Sequence, residues 1–116
     1  MKENVLVAKS MDFAVRIVNL HRYLNAQKRE YVLSKQLLRS ATSIGANVRE
    51  GIYGQSREDF TAKMSSALKE ASETEYWLEL LMKTEYLTQE QYMSVRTDCA
   101  ELAKMLTAVV KSSKVK

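Results

Sequence analysis

One repeat constrains this chain more than any other feature. Phe60, Met64, Ala67, Ala71, Thr74, Leu78 and Leu81 follow one another at intervals of four and three. That spacing lays a continuous apolar stripe along an α-helix and cannot serve a strand, whose faces alternate every second residue. A stripe six turns long must be buried against helices of similar length. The sequence contains no proline, so nothing interrupts such helices. At 116 residues the chain is read as one domain, 1–116, with a single core.

The helix that carries the stripe has a clear start. Ser56 stands three residues before Asp59, a capping box with Asp in place of the usual Glu. Glu58 and Asp59 also suit the positive end of the helix dipole. The spacing predicts its end between Thr84 and Leu87. Thr88 and Gln91 form a second capping box. Tyr92, Val95, Cys99, Leu102, Leu106 and Val109 then give the inward face of a last helix, with Lys111 to Lys116 read as a frayed tail.

Two further helices precede these. The first is expected from about Asn4 to Lys28. Its seam is Phe13, Ile17, Leu20 and Leu24, and a second apolar line, Val7, Met11, Ala14 and Val18, runs beside it. That arc is wider than one neighbour covers, so bundle neighbours or another subunit must share it. Lys2, Lys9 and Arg16 recur at heptad spacing on the other side, beside Arg22. The second helix takes Ser34 as its N-cap and Leu37, Ala41, Ile44 and Val48 as its inward stripe. Ser40, Ser43 and Asn47 form a small polar line that lets another backbone come close. Lys35, Arg39, Thr42, Ala46, Arg49 and Tyr53 form a third, basic line. Gly51 and Gly54 are expected to stop the helix in the left-handed conformation.

Four helices of roughly 20 to 28 residues joined by short turns make sequential neighbours antiparallel. The expected fold is all-α, an up-down-up-down antiparallel four-helix bundle. The alternative is two helical hairpins exchanged between subunits.

Charge is unevenly placed. Met1 to Arg57 holds ten basic and four acidic residues, and Glu58 to Glu101 holds four basic and ten acidic. The basic half either meets phosphates or faces the acidic half, within the chain or across a subunit contact. Both readings stand at this point. The lone cysteine, Cys99, rules out an intrachain disulfide and suits a reducing cytoplasm. No apolar run approaches the ~20 residues needed to span a bilayer, so no membrane partner is expected.

Catalytic and metal chemistry find little support. The one histidine, His21, lacks the Glu-x-x-His context of a di-metal bundle, and one Cys with one His falls short of a zinc ligand set. Cys99 lies on an apolar stripe, where an inert thiol is expected. Gly45, Gly51 and Gly54 match no phosphate-binding loop. Glu70 and Glu73 share a helical face with Trp77, and pairing with basic residues of a neighbouring helix is their commoner use. No cofactor and no enzymatic activity are expected.

The segment LSKQLLRSATSIGANVREG, Leu33 to Gly51, resembles the hallmark of the 23S rRNA intervening-sequence proteins, also called S23 or four helix bundle proteins. Asn47, Glu50 and Gly51 fall where that pattern places an Asn and a Glu-Gly pair. The segment ALKEASETEYWLELL, Ala67 to Leu81, is similar to the family's third helix. The resemblance spans essentially the whole chain. It implies a four-helix bundle and a ring-like homopentamer. The family also resembles the accessory protein of diversity-generating retroelements, which implies a nucleic-acid-processing partner such as a reverse transcriptase.

The expected function is therefore a homo-oligomeric module associated with RNA or DNA. Lys9, Arg16, Lys35, Arg39 and Arg49 would meet phosphates without reading sequence. Asn47, Glu50 and Gly51 would fix helix register or a subunit contact, with Arg57, Lys63 or Lys69 as partner to Glu50. The alternative is a protein-interaction scaffold with no direct nucleic-acid contact.

Overall fold

A computed structural model describes residues 2–114, with side chains described from Val5 onward. Four helices follow in order: α1 (Lys2–Ala26), α2 (Leu33–Ile52), α3 (Arg57–Lys83) and α4 (Gln89–Lys114). They form an up-down-up-down bundle measuring 48 × 20 × 20 Å. Each helix packs on the next in sequence, and α1 closes the ring by a thin contact with α4.

The apolar stripes meet along the bundle axis. Ile17, Leu24, Leu37, Ala41, Ile44, Val48, Met64, Ala67, Ala71, Leu78, Leu81, Cys99 and Leu106 are fully enclosed. Every expected member of the α3 stripe is buried except Phe60, which packs against the core edge. In α4 the last inward residue is Val110 rather than Val109, and the helix runs through Lys111 to Lys114 without fraying. Val115 and Lys116 lie outside the described residues, as does the side chain of Lys2.

The Thr88 box forms in full, and at Ser56 the hydroxyl half of the box forms. Ser56 Oγ accepts from Asp59 N at 3.0 Å. Thr88 and Gln91 exchange bonds, 2.8 Å from Thr88 N to Gln91 Oε1 and 3.1 Å from Gln91 N to Thr88 Oγ. The start of α2 differs from expectation. Ser34 is not its cap, since it is already inside the helix and buried. The carboxylate of Glu30 caps it instead, accepting from Val32 N, Leu33 N and Ser34 N at 3.1, 2.9 and 2.7 Å. One acidic side chain thereby satisfies three orphan amides and lies at the positive end of the α2 dipole. Ser34 Oγ supports it, donating to the Glu30 carbonyl at 2.9 Å.

The glycines do not work as left-handed stops either, because no glycine has a positive φ. The left-handed residues are Arg29, with φ 55°, and Glu85, with φ 72°. Glu85 ends α3 in a Schellman motif: its N–H donates to the Met82 carbonyl at 3.0 Å, and Tyr86 N donates to that of Leu81 at 2.9 Å. Gly51 serves close approach instead. It is buried inside α2, and a Cβ there would lie 3.0 Å from both Lys63 Cβ and Met64 Cε of α3.

These two positions predict opposite outcomes. Glu85→Gly relieves a left-handed side chain and is expected to raise stability by about 0.5–1 kcal/mol. Gly51→Ala pushes α2 off α3 and is expected to lower it by about 1–3 kcal/mol, despite alanine's better helix propensity. Urea denaturation midpoints measure both. A stabilised Gly51→Ala variant would show that the α2–α3 approach is not tight.

Candidate interaction surfaces

The five basic residues expected to meet phosphates fall into two groups. Three are engaged within the chain. Lys9 Nζ lies 3.0 Å from Glu101 Oε2, joining α1 to α4. Arg16 does the same one helical stretch further on. Its guanidinium reaches Asp98 Oδ2 at 2.7 Å, Ser94 Oγ at 2.6 Å and the Ser94 carbonyl at 3.3 Å. Arg39 of α2 pairs with Glu73 of α3, with Glu70 Oε1 3.6 Å away. The Glu70 oxygen is buried and has no hydrogen bond, so Arg39 supplies it only charge. Lys35 and Arg49 are exposed and have no acidic partner within 4.0 Å among the described residues.

The pairs at Lys9, Arg16 and Arg39 are half-exposed, so each contributes about 0–1 kcal/mol. Their larger effect is on the surface potential. They neutralise the basic lines of α1 and α2 where those lines face carboxylates of α3 and α4.

The residues around Arg39 lock α2 against α3. Trp77 Nε1 donates to Glu73 Oε2 at 3.0 Å. One helical step along, Ser40 and Thr74 share a hydroxyl–hydroxyl bond of 2.9 Å with neither side chain exposed. Thr74 Oγ1 also donates to the Glu70 carbonyl at 2.8 Å, so this buried polar pair is satisfied.

The three assembly candidates take different places. Glu50 is exposed and pairs with Lys63 at 2.9 Å across the α2–α3 seam. That hydrogen bond, and then the glutamate's charge, hold the Lys63 ammonium above its ordinary pKa. Asn47 is half-buried, and its amide nitrogen donates back to the Ser43 carbonyl at 2.9 Å. It is therefore satisfied within its own helix. Gly51 sits in the α2–α3 contact described above.

The apolar arc of α1 is only partly covered, because it extends past the α2 contact on the flank away from α4. Met11 and Val15 are 46% and 53% exposed. Beside them a groove of about 450 Å³ runs between α1 and α2. Val7, Met11 and Ala14 form one wall; Gly45, Ala46 and Arg49 stand on the other. Gly45 faces Ser10 closely enough that a Cβ would lie 3.3 Å from its hydroxyl. Small residues on α2 thus keep the groove shallow and open along its length.

His21 bonds only with Asn25, at 3.3 Å. No group of three or more metal-binding side chains occurs among the described residues. None of the described helices is long and apolar enough to cross a membrane.

Together the architecture defines a four-helix bundle of the antiparallel, short-looped class. Its sequence places it more narrowly. The pattern of the 23S rRNA-intervening sequence protein family matches residues 2–108, and the chain belongs to that family. A solved structure with 58% identity comes from Bacteroides thetaiotaomicron, a protein of unknown function from the S23 ribosomal protein family. The two superpose with a TM-score of 0.94, over 96% of this chain and 99% of the other. No protein of curated function matches the chain.

Cys99 yields a prediction about reactivity. It is buried in α4 and donates to the Ala71 carbonyl at 3.4 Å. Burial first, then the charge of Glu75, pushes the thiol up from 9.0 to about 12. The folded protein is expected to resist iodoacetamide at pH 8 and the urea-unfolded protein to react. The raised value also contributes stability that is present below about pH 9 and lost as pH rises toward about 12. Cys99→Ala should therefore unfold with a shallower dependence on pH above 9.0 than the parent chain.

Proposed function

We propose that this chain is a non-enzymatic, self-assembling binding module of the cytoplasm, whose α1–α2 groove makes the subunit contact and whose ligand is nucleic acid, RNA in particular. The observation that carries the reading is the uncovered apolar face of α1, with Met11 and Val15 about half exposed beside the groove. An apolar strip of this length on a helix is a surface awaiting a partner. The family resemblance supplies the partner, a second copy of the chain, and implies closure into a homopentameric ring. The non-enzymatic reading rests on an inert Cys99 thiol and on a histidine whose only bonded neighbour is an amide.

Nucleic acid is the favoured ligand because the family description names 23S rRNA and because Lys35 and Arg49 stand without acidic partners among the described residues. A weak basic patch repeated around a ring gains avidity from each copy. A second reading, a protein-interaction scaffold docking onto a nucleic-acid-processing partner, is favoured by one observation. Lys9, Arg16 and Arg39 already have acidic partners within the chain.

Two measurements separate these readings. Ala46 is exposed in the groove, so Ala46→Glu is expected to leave helicity unchanged while sedimentation shifts from oligomer to monomer and melting loses its dependence on protein concentration. An unchanged oligomer would remove the groove from the interface. RNA affinity measured across a salt series is expected to fall steeply in the parent chain. Lys35→Ala with Arg49→Ala is expected to flatten that slope by about two, and Lys9→Ala with Arg16→Ala to change it by less. Absence of binding at low salt would favour the scaffold.

A further inference from the structure

The α1–α2 connection combines three features. Between Asp12 and Glu50 the chain has one acidic residue, Glu30. That residue is turned inward, 7% exposed, with its carboxylate fully occupied by the first amides of α2. Glu30 therefore makes no ion pair with the basic side chains around it. Arg22, Lys28, Arg29 and Lys35 are all exposed, and none has an acidic partner within 4.0 Å among the described residues. Between them the aromatic ring of Tyr31 stands 58% exposed, next to Val32 at 71%. An exposed tyrosine on a connection whose neighbours are held by a carboxylate cap is a fixed platform, unlike a tyrosine on a loose loop.

A basic cluster alone attracts any polyanion. An aromatic face set within one selects for a polyanion whose bases are free to stack. Duplex RNA hides its base faces, whereas a single strand presents them. We propose that this end of the bundle is a contact site for single-stranded nucleic acid, with Tyr31 as the stacking platform and Lys28, Arg29 and Lys35 as the phosphate contacts. The inference rests on the nucleic-acid reading above and locates the ligand on one tip of each subunit. In an assembled ring the tip would recur once per copy, so a strand meets several platforms.

The test uses the full chain, a fluorescent single-stranded 12-nucleotide adenylate RNA, the same RNA paired with its complement, and a poly-glutamate peptide. Anisotropy is read at several salt concentrations. The parent chain is expected to bind the single strand more tightly than the duplex. Tyr31→Ala is expected to weaken single-strand binding about tenfold, and Tyr31→Phe to restore it, because stacking needs the ring and not the hydroxyl. Lys28→Ala with Arg29→Ala is expected to reduce the salt slope by about two. Circular dichroism confirms that the variants keep the fold. If the parent binds RNA and the Tyr31 and Lys28/Arg29 variants bind it equally well, the tip is overturned while the nucleic-acid reading stands. If the parent binds no RNA at low salt, both fall. Binding of poly-glutamate with the same dependence on Tyr31 and Arg29 would overturn the single-strand assignment in favour of an acidic protein partner.

Discussion

The α2–α3 seam is the constraint on which the rest of the bundle depends. Three kinds of contact fix its register independently. Gly51 admits Lys63 and Met64 to backbone distance. Ser40 and Thr74 satisfy each other out of water. Arg39 and Glu50 hold Glu73 and Lys63 at the two ends. From the Arg39 and Ser40 contacts to those of Glu50 and Gly51, about eleven residues along α2 correspond to about ten back along α3, so the three contacts agree on a single antiparallel alignment. A slip of one turn would bury the Ser40 and Thr74 hydroxyls without each other, and unpaired buried polar groups are costly. Apolar stripes alone tolerate such slips, since one leucine replaces another. The polar pair does not.

With α2 and α3 fixed, the other helices find their places by different means. α4 follows α3 through a five-residue connection and packs Val95, Cys99, Leu102 and Leu106 onto it. α1 is held more lightly. It lies along α2 but meets α4 mainly where Lys9 and Arg16 bridge to Glu101 and Asp98. The uncovered arc of α1 lies away from α4, on the outer flank of the α2 contact, where Met11 and Val15 remain at the surface beside the α1–α2 groove.

Much of this was legible from local pattern. The caps at Ser56 and Thr88 are encoded within four residues of chain; the Thr88 box forms with both bonds, and at Ser56 the serine caps Asp59 N. The α3 stripe is legible because its period admits one secondary structure. What escaped were features in which an unusual residue does a familiar task. A glutamate caps α2 from four residues before Ser34, and a glutamate rather than a glycine takes the left-handed position after α3. The residue type is the usual signal for both, and here it pointed to Ser34 and to Gly51 and Gly54. The charge pairs were illegible for another reason. Lys9 and Arg16 read as one basic line, and only the antiparallel approach of α4 sets Glu101 and Asp98 opposite them. The spacing of those acids on α4 was the available signal. It becomes informative only once the facing helix is known.

The same distinction decides where positive charge remains available. Basic residues on helix faces that meet α3 or α4 find carboxylates, because Glu70 and Glu73 of α3 and Asp98 and Glu101 of α4 stand opposite them. At the α1–α2 end Lys28 shares a surface pocket with Glu85 of the α3–α4 connection but makes no ion pair with it, and Glu30 is committed to the α2 amides. Glu30 thus has two effects from one conformation. It starts α2, and it turns its carboxylate away from the exposed Arg22, Lys28, Arg29 and Lys35. Folding and surface chemistry are coupled at this residue. A chain that capped α2 with Ser34 would leave the Glu30 carboxylate free to pair with Arg29 or Lys28, and one fewer cation at the tip would stand unpaired without any change in composition.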